Sequence, residues 1–264
     1  MEYSTFVPNP QLQHVVECYW IVEGSDTVTQ KIIPDGSSEL VFHFGDRYKV
    51  HRKGAPETLQ SFAIAAGQLN KPIFLTPTGN SGVLGVKLRP LGMWRLLGCD
   101  MHLLTNETYA LGDVLDRETE DLAEKIRSAG NNQERIRMVE TFMLHRVKRK
   151  DPSAIEPLIS EIHQHQGQVS ISELSGKFKV SGRKVERLFL QQVGVSAKLY
   201  SRLVRFAHVY RLVQQPELTK AEATYLCGYF DQAHFNKEFR EFTGENPESY
   251  FSQNHAFSNF FLNR

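Results

Sequence analysis

The sequence writes one local design twice. Ser170-Ile171-Ser172-Glu173 and, further on, Thr219-Lys220-Ala221-Glu222 each place a hydroxyl residue three positions before a glutamate. That spacing is a capping box: hydroxyl and carboxylate satisfy each other's free backbone N–H groups and so start a helix. In each copy a short helix is expected, then a tight turn, then a second helix with its own cap, Ser181 in the first and Asp231 in the second. Cap, turn and apolar spacing recurring together constrain this chain more than any other feature in it.

The second helices, expected over 181–192 and 231–242, carry the chemistry. In the first, Val185, Leu188, Phe189 and Val193 fall on one face, so Arg183, Lys184, Glu186 and Arg187 point outward. In the second, Phe235, Phe239 and Phe242 face inward, leaving Gln232, His234, Asn236, Lys237 and Arg240 on other faces. Arginine pairs with guanine, and Gln or Asn with adenine, so these are side chains that reading base edges in a major groove requires. Between the two units, Ala197–Gln214 reads as a mostly apolar helix with a basic stripe of Lys198, Arg202 and Arg205. A stiff spacer of that length suits two recognition helices entering successive grooves of double-stranded DNA. The chain as a whole is near neutral, with 31 Lys+Arg against 30 Asp+Glu. From Ser181 to Arg211, however, seven basic residues face a single acid, Glu186, a local excess suited to phosphate.

At 264 residues the chain is long enough for two domains, and Asp151-Pro152 marks a boundary near 150–152. Residues 1 to about 90 read as short strands (Val15–Val22, Lys31–Ile33, Glu39–Phe44, Ser61–Gly67, Ile73–Thr76 and Gly82–Leu88) separated by Gly/Asp/Pro turns, with an early helix around Asn9–Cys18. Helices are expected from Pro90, over Leu111–Ala129 and over Gln133–Val147. The expected fold is therefore α+β. A β-rich sandwich or barrel with flanking helices occupies 1–150, its helical part over about 90–150, and an all-α double helix-turn-helix domain occupies 151–264. No basic-then-apolar leader and no apolar run near the ~20 residues of a membrane span is visible, so a cytoplasmic location without membrane contact is expected.

The region from Gly228-Tyr229-Phe230-Asp231-Gln232-Ala233-His234-Phe235 through Asn236-Lys237-Glu238-Phe239-Arg240-Glu241-Phe242-Thr243-Gly244 to Pro247 and Tyr250 resembles the signature of the AraC/XylS family of transcription regulators. Ser181, Arg187, Phe189, Gly194 and Ser196 carry the same resemblance in the first unit, and it extends over about 153–250. The resemblance implies transcription control, with positions 183, 184, 186, 187, 232, 233, 236 and 237 facing bases, which adds Ala233 to the set above. The sequence departs from the family at Lys220, Ala223 and Thr224, where apolar residues are usual, at Ser175 for alanine and at Ala197 for proline. Glu186 on a reading face suits a cytosine amino group or repels phosphate. The N-terminal half is similar, through Tyr19-Trp20, Ile33-Pro34-Asp35-Gly36, Glu39-Leu40-Val41-Phe42 and Lys87-Leu88-Arg89-Pro90, to an uncharacterised β-rich domain often joined to this module. By analogy it senses a small molecule or mediates dimerisation.

Candidate pocket residues are Trp20, His43, Arg89 and Trp94. A rival reading makes the N-terminal half a metal-dependent, cupin-like enzyme, but the spacing of His43, His51 and His102 matches no ligand motif. No cofactor, no metal and no catalytic residue is expected. Cys18, Cys99 and Cys227, odd in number and far apart, form neither a disulfide framework nor a CxxC metal pair and read as small buried hydrophobes. The apolar stripe of Gln133–Val147 suits either a homodimer or packing on its own domain. The tail, with Phe257, Phe260 and Phe261, is expected to dock on the protein. A small-molecule effector, and RNA polymerase for an activator, complete the expected partners.

Overall fold

The computed structural model describes residues 1–147, 153–253 and 255–262. The expected boundary at 150–152 lies outside the described residues.

The N-terminal half is two antiparallel sheets. The larger is built from β1 (Glu2–Phe6), β2 (Val16–Gly24), β4 (Ser38–His43), β7 (Ala63–Ala66), β9 (Ser81–Leu88) and β10 (Thr108–Ala110), in the order β1-β2-β9-β4-β7-β10. The smaller runs β3-β8-β5-β6, from β3 (Gln30–Ile32), β5 (Tyr48–His51), β6 (Thr58–Leu59) and β8 (Ile73–Pro77). Strand alternation sorts the larger sheet's side chains into two cores. Tyr19, Ile21, Leu40, Phe42, Ala63, Ala65, Leu84 and Val86 face one core, which α1 (Gly92–Leu97), α2 (Leu111–Val114), α3 (Glu118–Ser128) and α4 (Asn132–Arg146) cover. Trp20, Val22, Val41, Ile64 and Val83 face the other, toward the small sheet's Tyr48. A sheet buried on both faces needs the near-continuous apolar runs that made its strands legible.

Strands β1, β5, β6 and β10 were not expected, and two expected helices differ. Residues 10–15 form turns, with the amides of Val15 and Val16 both reaching Leu12 O, and no helix; β2 starts at Val16 because its edge is needed by β9. Leu111–Ala129 breaks in two, since Asp116 leaves the helical path to accept from Glu118 N and to pair with Arg146. The apolar stripe of α4 is spent on its own domain: Ile136, Val139 and Met143 are buried in the first core. Of the cysteines, Cys227 is buried and Cys18 and Cys99 are half-buried, and none forms a disulfide.

The C-terminal half is helical: α5 (Glu156–Gln164), α6 (Ile171–Phe178), α7 (Gly182–Gln192), α8 (Ala197–Leu212), α9 (Lys220–Leu226), α10 (Gln232–Thr243), α11 (Pro247–Phe251) and α12 (Ala256–Leu262). Two cores divide it. One unites α5, α6 and α7 with the start of α8, through Leu158, Ile162, Leu174, Val185, Phe189 and Tyr200. The other unites the rest of α8 with α10 and α11, through Phe206, Tyr210, Phe235, Phe239, Phe242 and Tyr250. Each core also takes one residue of the β domain, Leu91 and Ile33 respectively. Across the same seam Thr105 Oγ1 donates to Gly194 O at 2.6 Å, and ion pairs join Lys31 to Glu245 and Arg95 to Glu156.

Candidate nucleic-acid interface

Both capping boxes form as read. Ser170 and Glu173 exchange bonds of 3.2 and 2.7 Å at the start of α6, and Thr219 and Glu222 do the same at 3.2 and 2.8 Å at the start of α9. The second helices are capped too: Ser181 accepts from Lys184 N, and Asp231 from His234 N at 2.7 Å. Val185 and Phe189 of α7, and Phe235, Phe239 and Phe242 of α10, are all fully buried. Inward anchoring at this spacing fixes the rotation of each helix, and so fixes what faces out.

What faces out is the expected set with one exception. Arg183, Lys184 and Arg187 are exposed on α7, and Gln232, Ala233, His234, Lys237 and Arg240 on α10, with Asn236 half-buried and held by Gln232 Nε2 at 3.2 Å. Ser181 and Asp231 are exposed but engaged in capping. Glu186 is the exception. It is half-buried, and its Oε2 accepts from the backbone N–H of Ala197 at 2.9 Å, at the start of α8. The departure at 197 accounts for this: proline there would bring no N–H, whereas alanine brings one that draws Glu186 away from the outer face. Of the other departures, the Ser175 hydroxyl is buried with no hydrogen-bond partner among the described residues, whereas Lys220, Ala223 and Thr224 are accommodated. Ala223 and Thr224 are buried, and the Thr224 hydroxyl donates to Lys220 O at 2.7 Å while Lys220 stays exposed. Phe230, 92% exposed in the turn just before α10, is an apolar tip that no cap or helical period marks as exposed.

The basic stripe of α8 needs correction. Arg202 and Arg205 reach across to α10 and hold Glu238, at 2.7 and 2.9 Å, with Arg202 also pairing with Glu241. Glu238 is buried, 3% exposed, and its other oxygen accepts from Tyr229 OH at 2.7 Å. Burial alone would raise its carboxyl pKa, but the two guanidiniums and the phenol outweigh that and hold it below the ordinary value. These arginines therefore lock the second recognition helix to the spacer. Lys198 stays exposed on α8. At 16 residues the spacer is about 24 Å long.

The four pocket candidates divide evenly. Trp20 and His43 line one cavity of about 90 Å³ between the sheets, together with Tyr48, Gln60 and Val83. Trp20 Nε1 donates to Glu39 at 3.2 Å, and His43 Nε2 meets Gln60 Oε1 at 3.0 Å. Arg89 instead lies at the domain seam, bonded to Gln13 O at 2.6 Å, and Trp94 packs against the opposite core. Alternation explains the split for Trp94: it rides on α1, which covers the other face of the sheet. The three histidines of the metal reading lie on separate elements, His43 on β4, His51 on β5 and His102 in the turn Met101–Leu104. Among the described residues no group of three His, Cys, Asp or Glu side chains could hold a metal ion. No helix among them is long and apolar enough to cross a membrane.

Two helix-turn-helix units on one spacer, docked on a β sandwich, define a double helix-turn-helix protein with a separate N-terminal domain. Comparisons agree. Residues 174–253 match a family model described as a helix-turn-helix domain, and residues 4–110 match one described as a domain of unknown function, DUF6597. The C-terminal domain is of the AraC type. The HTH-type transcriptional regulator GlxA of Rhizobium meliloti is 29% identical over 97 residues, 37% of this chain and 29% of its own length. GbdR of Pseudomonas aeruginosa, also named an HTH-type transcriptional regulator, is 30% identical over 79 residues, 30% of this chain and 22% of its own. The chain thus spans less than a third of the length of these two curated relatives. The fold as a whole, β-rich domain and helical domain together, is shared with ToxT from Vibrio cholerae: TM-score 0.51, 12% identity, 96% of this chain and 98% of that one covered.

Proposed function

We propose that this chain is a sequence-specific DNA-binding transcription regulator that reads two successive major grooves with α7 and α10. The observation that carries the reading is the paired geometry: two capped, inwardly anchored helices with polar outer faces, tied to one spacer helix. Arg183, Lys184 and Arg187 of the first unit, and Gln232, His234, Asn236, Lys237 and Arg240 of the second, take base edges and nearby phosphates. Ala233 and the exposed Phe230 suit thymine methyl groups. Ser181 and Asp231 serve through their caps, and Glu186 through α8. In this reading the DNA-binding domain begins near 151, and the chain up to 150 is the sensor domain.

We further propose that the β domain takes a small-molecule effector in the cavity beside Trp20 and His43. Structures of ToxT, which shares the fold, are described as bound to an unsaturated fatty acid and to a naphthalenyl butenoic acid. The names of the relatives, transcriptional regulators throughout, support the reading over an enzymatic one.

Fluorescence anisotropy with a fragment from upstream of the chain's own gene, against a shuffled fragment and across a salt series, tests the DNA reading. Preference for the native fragment should weaken by about 1–3 kcal/mol in Arg187→Ala. If sites selected from a random pool bind no better than the shuffled fragment, the regulator reading is wrong.

A further inference from the structure

We infer that the cavity between the sheets takes a ligand with an apolar body and a hydrogen-bond donor, neutral or cationic rather than anionic, and that this ligand enters by displacing the C-terminal helix α12. The inference deepens the effector reading and rests on it.

The first observation is space. With α12 seated, about 90 Å³ is left, whereas small-molecule sites span roughly 300–1,000 Å³. The volume has been taken by the chain itself: Phe257, Ser258, Phe261 and Leu262 form one side of the lining. Phe257 and Phe261 are 3% and 9% exposed and stand edge-on to Trp20, with ring centroids 6.3 and 5.0 Å away. Two aromatic side chains from a terminal helix hold the place of a ligand's apolar body.

The second observation is polar. His43 is buried, 1% exposed, and lines the cavity. Its Nε2 has Gln60 Oε1 as acceptor, so Nε2 carries the proton and Nδ1 is the ring's lone pair. Among the described residues Nδ1 has no partner, which is costly for a buried polar atom. Burial holds the imidazole pKa down to about 4, so the ring is neutral near pH 7. A neutral acceptor calls for a donor, a hydroxyl or an ammonium, and a carboxylate has none to give.

The third observation is charge. The ionic lining residues are Asp35, Glu39 and Glu107, with no Lys or Arg among them. Lys87, just outside, stands 2.8 Å from Asp35, and Arg47 and Arg52 hold the wall from outside it, at Gln60 O (3.4 Å) and Thr108 Oγ1 (3.2 Å), so the inner lining keeps three carboxylates with no cation among them. An anion would meet repulsion here that an alcohol or amine would not.

Displacement would be felt in the DNA-binding domain. Asn259 of α12 accepts from Tyr210 OH of α8 at 2.7 Å, and Leu262 belongs to the core that Phe206 and Phe242 share. On its other side Ser258 Oγ donates to Lys31 O of β3 at 2.7 Å. The helix touches the spacer and the cavity at once, so ligand binding and spacer packing compete for it.

Three probes with one phenyl ring test this on the full chain: 2-phenylethanol, 2-phenylethylamine and phenylacetate, titrated by calorimetry against wild type and Phe257→Ala/Phe261→Ala. The alcohol and amine should bind the double variant at least tenfold more tightly than wild type, and phenylacetate at least tenfold more weakly than either. In wild type, saturating amine should raise deuterium uptake within 256–262, a readout that needs no variant to fold. Equal or tighter binding of phenylacetate overturns the inference, as does uptake unchanged under saturation, or a folded double variant that binds no probe. DNA preference, measured without probes, separates the two claims: if it persists while the probes fail, only the ligand inference falls.

Discussion

At the residue scale, Glu238 is the side chain on which the second unit turns. It sits on α10, among the residues we propose face DNA, yet is buried against Arg202, Arg205 and Tyr229. Removing one partner of a buried ionic cluster leaves the others uncompensated, so Glu238→Ala should destabilise the protein by about 3 kcal/mol in urea denaturation and weaken DNA binding with it. Loss of binding without loss of stability would instead place Glu238 at the DNA. Its spacing from Phe235 and Phe242 was visible in the sequence, but its partnership was not, because both arginines lie on another helix. His43 supplies a pH test. Its folded pKa, about 4, is below the unfolded value of 6.5, so the unfolded chain takes the proton first. Stability should therefore fall as pH drops from 6.5 toward 4, and His43→Gln should flatten that segment of the urea-midpoint curve. An unchanged slope in the variant would show that other groups set it.

At the element scale, the helices that matter were legible because their apolar spacing, caps and turns all agree. Ser170→Ala and Thr219→Ala should each cost about 1 kcal/mol of stability, read from thermal unfolding of single variants. No loss in either would mean that tertiary packing alone sets those helix starts. Strands were legible where both faces are buried, as in β2, β4 and β9. The short edge strands β6 and β10 were not, since Thr58–Leu59 and Thr108–Ala110 carry too few residues to show a period. Nor was the role of Gly85. A Cβ there would come within 1.8 Å of Trp20, so the ring lies on the bare backbone of β9. Gly85→Ala should cost about 1–3 kcal/mol by overpacking and shift the Trp20 emission; a neutral result would mean the indole can move aside freely.

At the scale of the whole molecule, the sequence divides into two domains by composition and period, but it does not show how they meet. Docking of the tail followed from its three phenylalanines, whereas its seat between the sheets depends on Trp20, Val41 and Val83, far away in the chain. On the β side the seam is built from single residues, Leu91, Ile33, Thr105 and Lys31, and no local pattern marks any of them as an interdomain contact. What the two halves accomplish together depends on the spacer: α7 and α10 must be held at a fixed distance and on one face. Hydroxyl-radical footprinting of the full chain on a selected site tests this most directly. Two protected patches on one face of the duplex, about one turn (10–10.5 base pairs) apart, are expected, and five base pairs inserted between them should abolish joint protection. A single patch, or two patches indifferent to the insertion, would contradict a rigid two-groove reader.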